Sequence, residues 1–178
     1  MKINYAALKI GDVVHTTSSS PVSRIIRRVT GGGPSSHCGF VACWAGQFFV
    51  CEMRPKSLFQ KGGVTLTPFG MYTDEKRAHV VGIMRNYMLS TPEIGSLLNA
   101  DMAADYRKTI EYDLDGVMSF VIKRVKQRKD RMYCSEYVAW RIAERGVPLP
   151  APLLHAVSPN QLYRLTDIFT PVPDWRAE

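Results

Sequence analysis

Residues 36–54, Ser36-His37-Cys38-Gly39-Phe40-Val41-Ala42-Cys43-Trp44-Ala45-Gly46-Gln47-Phe48-Phe49-Val50-Cys51-Glu52-Met53-Arg54, decide how the chain is read. Two apolar runs, His37 to Trp44 and Phe48 to Met53, flank Ala45-Gly46, the pattern of a hairpin closed by a tight turn. Side chains alternate faces along a strand. With Ala45 and Gly46 as a two-residue turn, Trp44 faces Gln47, Gly39 faces Glu52 and His37 faces Arg54. His37 and Glu52 then share one sheet face as diagonal neighbours, within reach of long side chains. A loop with an odd number of residues would put them on opposite faces. An acid inside an apolar strand is costly unless it is paired, and an imidazole is the partner within reach.

Outward from the hairpin, residues 8 to 17 read as a strand with a turn at Gly11-Asp12. Ser18-Ser19-Ser20-Pro21 supplies a hydroxyl cap and then proline for a first helical turn. Val22, Ile25, Ile26 and Val29 follow at helical spacing, and Thr30-Gly31-Gly32-Gly33-Pro34 ends that helix. On the other side, strands are expected near Gly63 to Thr67 and at Ala78 to Arg85. Helices are expected from Thr91-Pro92-Glu93 to about Tyr106, from Gly116 to Arg128, and from Cys134 to Arg145, where Gly146-Val147-Pro148 ends the last. In the second, Val117, Phe120, Val121 and Val125 mark the buried side. Ser158-Pro159-Asn160-Gln161-Leu162-Tyr163 opens a final short turn. Strands with one short helix, then mostly helices, indicate an α+β fold with a small antiparallel sheet packed against helices. The length of 178 residues fits a single domain over 1–178.

The second informative stretch is Tyr133-Cys134-Ser135-Glu136-Tyr137-Val138. Cys134 falls in a first helical turn, where unpaired amides and the helix dipole favour a thiolate. Tyr133 can contribute a hydroxyl, and the Cys134 amide can face a developing oxyanion. Glu136 reads as a cap. Cys134, His37, Glu52 and Tyr133 are the candidate catalytic residues: a thiol, an imidazole to take its proton, and a carboxylate to orient the imidazole. Each has a bland alternative as a buried cysteine, a strand-end histidine or a paired core acid. His15 reads as structural, His79 and His155 have no partner pattern, Asp12 fits a turn, and Asp113 fits an anchor for the following helix.

Composition narrows the partners. Lys and Arg number 23 against 16 Asp and Glu, a formal charge of +7. The excess gathers at Arg24, Arg27 and Arg28 and in the run from Lys123 to Arg131, which suits an anionic surface or a solvated helix face. No zinc finger, RNA-binding aromatic signature or phosphate-binding Gly-Lys loop accompanies it, so no specific nucleic-acid partner is expected. Cys38, Cys43, Cys51 and Cys134 form no CxxC pair and no zinc spacing, so neither metal nor cofactor is expected. Lys9 and Gly11-Asp12 interrupt any signal-peptide core, which suggests a cytoplasmic protein or one released by lysis or carried in a phage particle.

Taken in order, these motifs resemble the circularly permuted NlpC/P60 superfamily, in particular its YiiX/YaeF-like group of papain-fold amidases. The resemblance rests on Gly11-Asp12-Val13-Val14, Ser36-His37-Cys38-Gly39-Phe40-Val41, Val50-Cys51-Glu52-Met53, Tyr112-Asp113, Tyr133-Cys134-Ser135-Glu136-Tyr137-Val138 and Ser158-Pro159-Asn160-Gln161-Leu162. Cys38 stands where Val or Ile is usual, and Met53 where Ala is usual. The resemblance implies a permuted papain-like fold, with Cys134 as nucleophile, His37 as base and Glu52 orienting it. The expected function is a cysteine peptidase or amidase that hydrolyses an amide, in cell-wall peptides for instance, through an acyl-enzyme. A lipid or acyl-amide hydrolase and a non-catalytic binding or phage structural module are the alternatives. The expected partner is a peptide or acyl-amide.

Overall fold

A computed structural model describes residues 1–56, 62–74, 78–108, 110–113, 116–117, 131–150 and 157–177. In chain order its elements are β1 (Lys2–Ile3), β2 (Val13–Ser18), α1 (Pro21–Val29), β3 (His37–Trp44), β4 (Gln47–Arg54), β5 (Gly63–Pro68), β6 (Ala78–Arg85), α2 (Pro92–Arg107), β7 (Glu111–Tyr112), β8 (Arg131–Met132), α3 (Cys134–Glu144), α4 (Pro159–Tyr163), β9 (Thr170–Pro171) and β10 (Arg176–Ala177). The expected helix from Gly116 to Arg128 lies almost wholly outside the described residues.

An antiparallel sheet with strand order β5-β4-β3-β2-β6-β9 forms the centre. The β3–β4 hairpin turns at Ala45 (φ 48°) and Gly46 (φ 75°), left-handed at both positions as a right-twisted two-residue hairpin requires. Trp44 pairs with Gln47 and Phe40 with Cys51, so the even parity holds. The first expected strand begins late, at Val13. Gly11 sits at φ +90°, where an added Cβ would lie 2.7 Å from the Leu89 carbonyl oxygen. Beside it, the Asp12 carboxylate accepts from the Lys9 amide and pairs with Arg85, which holds the chain in a turn.

Both sheet faces are covered, which is why β3 and β4 read as nearly continuous apolar runs. One face presents Cys38, Phe40, Ala42, Cys51 and Met53 to α3, whose Tyr137, Val138 and Ile142 are fully buried. The other presents Val14, Val41, Val50 and Ile83 to Phe69, Tyr72 and Val172. Helix starts follow the expected chemistry. The Ser20 hydroxyl accepts from the Ser23 amide ahead of α1, Thr91 from Ile94 ahead of α2, and Ser158 from Gln161 ahead of α4, each with proline at the first turn. The two-residue strands β1, β7, β8, β9 and β10 are too short to leave a periodic signal in sequence.

A buried ion pair fixes α3 to α2. Asp105 has no exposed surface, and one of its carboxylate oxygens accepts from Arg141 Nε at 2.8 Å and from the Tyr137 hydroxyl at 3.0 Å. A buried carboxylate deprived of its cation is worse than no pair at all. Arg141→Met is therefore expected to destabilise the fold by about 3–5 kcal/mol, with Asp105→Asn in the same chain recovering part of the loss. Urea denaturation of the two variants checks this, and an Arg141→Met midpoint equal to wild type would refute it.

Candidate functional site

The site forms where β3 begins and β4 ends. Glu52 is fully buried on the sheet face opposite α3, and four side chains converge on it. His37 Nε2 lies 2.5 Å from Oε2. The Thr67 and Tyr72 hydroxyls each donate to Oε1 at 2.5 Å, and Arg54 Nε pairs with Oε1 at 2.8 Å. Arg54 also donates to the Tyr72 hydroxyl at 2.5 Å. Burial alone would raise the Glu52 pKa, but His37, Arg54 and Thr67 together bring it below the ordinary carboxylate value. Gly39 is part of the reason this fits. A Cβ there would lie 2.6 Å from the Cys51 carbonyl oxygen and 2.9 Å from Glu52 Cβ.

Cys134 opens α3 on the opposite sheet face, in the core with Cys38. The neighbouring Cys38 thiol and then the His37 charge hold the Cys134 thiol well below its usual range, against the effect of burial. Burial and the Cys134 charge push Cys38 the other way. Burial also opposes a charge on His37, yet the Cys134 charge and its contact, followed by the Glu52 hydrogen bond, raise it to about 10. The ring is therefore held from two sides, by Cys134 through charge and a hydrogen bond and by Glu52 through the 2.5 Å hydrogen bond. Tyr133 is buried as the residue preceding α3, and its amide donates to the Glu136 carboxylate at 3.4 Å, the expected cap. Burial, then the nearby Glu136 charge, pushes its hydroxyl pKa upward, so it stays protonated.

His15 lies behind the site, 1% exposed, with Nδ1 3.1 Å from the Ser35 hydroxyl and its ring against Tyr163. Ser35 donates to the His37 carbonyl, so it accepts from His15, and the neutral His15 carries its proton on Nδ1. Burial, reinforced by the His37 charge, lowers the His15 pKa to about 3. Asp113 accepts from the Gly116 amide at 2.9 Å, the expected anchor.

Two clefts formed by described residues meet at Arg54 and Tyr72. One, of about 280 Å³, is lined by Thr16, Thr17, Ser18, Ser36, His37 and Arg54 among others. The second, of about 360 Å³, runs past Arg54 to Leu66, Pro68 and Met71. Cys134, 4% exposed, is not a wall residue of either. Thr67, Tyr72 and Arg54 were not candidates from sequence. Arg54 alone left a signal, as the next same-face residue after Glu52. The basic stretch 123–130 lies outside the described residues, and Arg131 is paired with Glu111 at 2.7 Å. Among the described residues, no group of three or more His, Cys, Asp or Glu side chains is placed to hold a metal ion.

No family model matches the chain, and no curated protein does. Among solved structures, its fold is similar to the crystal structure of metalloprotein yiiX from Escherichia coli O157:H7, DUF1105. The TM-score is 0.66 at 19% identity, over 94% of this chain and 98% of that chain. What the likeness shows is the fold: a mixed α/β arrangement with an antiparallel sheet packed against helices.

The expectation of a cysteine peptidase or amidase working through an acyl-enzyme is corrected by these findings. The similar structure is described as a metalloprotein and not as a thiol hydrolase. Within this chain, His37 Nε2 is held by Glu52 at 2.5 Å, and the Cys134 thiol opens onto neither of the two clefts that meet at Arg54 and Tyr72.

His37 titration tests the electrostatics of the site. Its folded pKa of about 10 lies above the ordinary 6.5. Its charge therefore contributes stability that is complete below about pH 6.5 and is lost as pH rises through about 10. Glu52→Gln is expected to lower the His37 midpoint and flatten that pH dependence. NMR titration of the imidazole checks it, and an unchanged midpoint would remove Glu52 as a cause.

Proposed function

We propose that this chain is a ligand-binding module whose cleft at His37 and Arg54 receives a peptide or acyl-amide bearing a free carboxylate. The observation that carries this reading is an asymmetry of charge. Glu52 is fully buried behind the wall, while both of its cationic partners reach the cleft, with side-chain exposures of 22% for His37 and 27% for Arg54. A ligand in the cleft therefore meets the cations at the surface and the compensating anion only at depth. Thr16, Ser18 and Ser36 place hydroxyls around it that can serve amide groups. A volume near 280 Å³ suits a small ligand, and the adjoining space beside Leu66 and Met71 suits an apolar extension.

Cys134, His37, Glu52 and Tyr133 belong to this site as its charged and structural backing. Glu52 orients His37, the charge of Cys134 keeps the imidazole protonated, and Tyr133 seats the start of α3. The finer topology is taken as the permuted NlpC/P60 arrangement, supported by the order of hairpin before cysteine helix and by the sequence motifs. The relative's description as a metalloprotein does not carry over. The donors of this chain, among the described residues, do not fit a metal centre with three protein ligands.

Calorimetric titration with short N-acetylated peptides, each as free acid and as C-terminal amide, tests the reading. The acid is expected to bind roughly ten- to a hundredfold more tightly than the amide, the worth of one charge-assisted hydrogen bond. Arg54→Met should abolish that preference and Arg54→Lys should retain part of it. Equal binding of acid and amide to the wild type would sink the proposal.

A further inference from the structure

Helix α1 is turned inside out. Its buried residue is Ser23, whose hydroxyl lies 2.6 Å from that of Ser36 and 3.2 Å from that of Thr17. Three of its four larger aliphatic residues face water instead: Val22 is 61% exposed, Ile25 49% and Val29 42%, with Ile26 half-buried. At 3.6 residues per turn these three fall within one arc of about a sixth of the helix circumference. Arg24 and Arg28 fall on the adjoining arc, also exposed. Pro21, Arg24, Ile25 and Arg28 together line a shallow depression of about 280 Å³. The side of α1 that meets the sheet carries the Ser23 hydroxyl, bonded to Thr17 and Ser36, while its exposed side presents aliphatic and arginine side chains side by side. Its apolar stripe has no partner among the described residues.

We infer that α1 is a docking element for a bilayer surface rich in anionic phospholipid, lying in the interface with Val22, Ile25 and Val29 directed into the acyl boundary. The choice of occupant follows from the pairing of the two chemistries. Arginines can keep their guanidinium groups at headgroup level while their stems lie along apolar surface. Anionic headgroups complement Arg24 and Arg28, adding to the attraction of the +7 chain, while Arg27 lies on the half-buried side of the helix with Ser23. A nucleic acid would use the arginines and leave the aliphatic stripe in water. A second copy of this chain would cover the stripe but bring two arginine clusters together. No described helix is long and apolar enough to cross a membrane, so docking and not spanning is the mode assigned to α1. The start of α1 adjoins Ser18 and Ser36, so docking would bring the cleft mouth close to the bilayer.

Sedimentation of the full chain with phosphatidylcholine vesicles, with and without phosphatidylglycerol, tests the inference. Binding is expected to the phosphatidylglycerol vesicles and to weaken with salt. The double variant Arg24→Ala, Arg28→Ala should lose about 25-fold in partition at low salt, from roughly a factor of five per arginine. The variant Val22→Ser, Ile25→Ser should lose about tenfold. Because Val22 and Ile25 are exposed, that second variant keeps its circular dichroism and its thermal transition. The inference fails if either variant binds as wild type does or if neutral vesicles bind equally. It also fails if Val22→Ser, Ile25→Ser changes the molar mass by light scattering without changing lipid binding, which would assign the stripe to self-association. Displacement of the protein from vesicles by single-stranded DNA, with no loss on Val22→Ser, Ile25→Ser, would likewise overturn it in favour of a nucleic-acid face.

Discussion

A carboxylate with no exposed surface, Glu52, joins four separate pieces of the chain: His37 at the start of β3, Arg54 at the end of β4, Thr67 in β5 and Tyr72 in the turn beyond it. An isolated buried carboxylate would be protonated or expelled. Two cations and two hydroxyls reverse that tendency and keep it charged. The same contacts set where His37 points and how its proton is held. Both cations stand between Glu52 and the cleft, while behind it the Glu52 charge adds to burial in raising the Cys38 and Cys51 thiols. The hairpin, the turn at Phe69–Tyr72 and the cleft wall are therefore one electrostatic unit.

The thiol half of the site is linked to that unit through charge. Cys134 starts a helix on the opposite sheet face, in contact with Cys38, and its depressed pKa helps to keep His37 protonated. A low-pKa cysteine beside an imidazolium is a common feature of thiol enzymes, but it is an electrostatic condition and not a function. Here the fold likeness is to a protein described as a metalloprotein, and the two clefts beside His37 and Glu52 meet at Arg54 and Tyr72. A ligand in these clefts meets the cationic wall and not the thiol.

Much of the hairpin and its pairing could be read directly. Ala45-Gly46 is a turn that tolerates positive φ, the flanking runs are apolar, and parity follows from a two-residue loop. Serine and threonine caps followed by proline marked three helix starts. The rest of the Glu52 shell was hidden because Thr67 and Tyr72 lie 15 and 20 residues away, beyond any local pattern. Helix α1 shows a different limit. The spacing of Val22, Ile25, Ile26 and Val29 marks a helix, but helical spacing does not say which arc meets the sheet.

By itself, the sequence determined the local geometry: a two-stranded hairpin with His37 and Glu52 on one face, and a helix with Cys134 in its first turn. These follow from backbone sterics, the two-residue period of strands and capping chemistry, all set by near neighbours in the chain. Tertiary structure alone decided what Glu52 is bound to, that Cys38 sits against Cys134, that Asp105 and Arg141 bind α2 to α3, and that α1 presents its aliphatic side to solvent. Those outcomes depend on which faces are left to be covered once the sheet has formed. Burial and long-range charge pairing settle them, and neither is a property of any single segment.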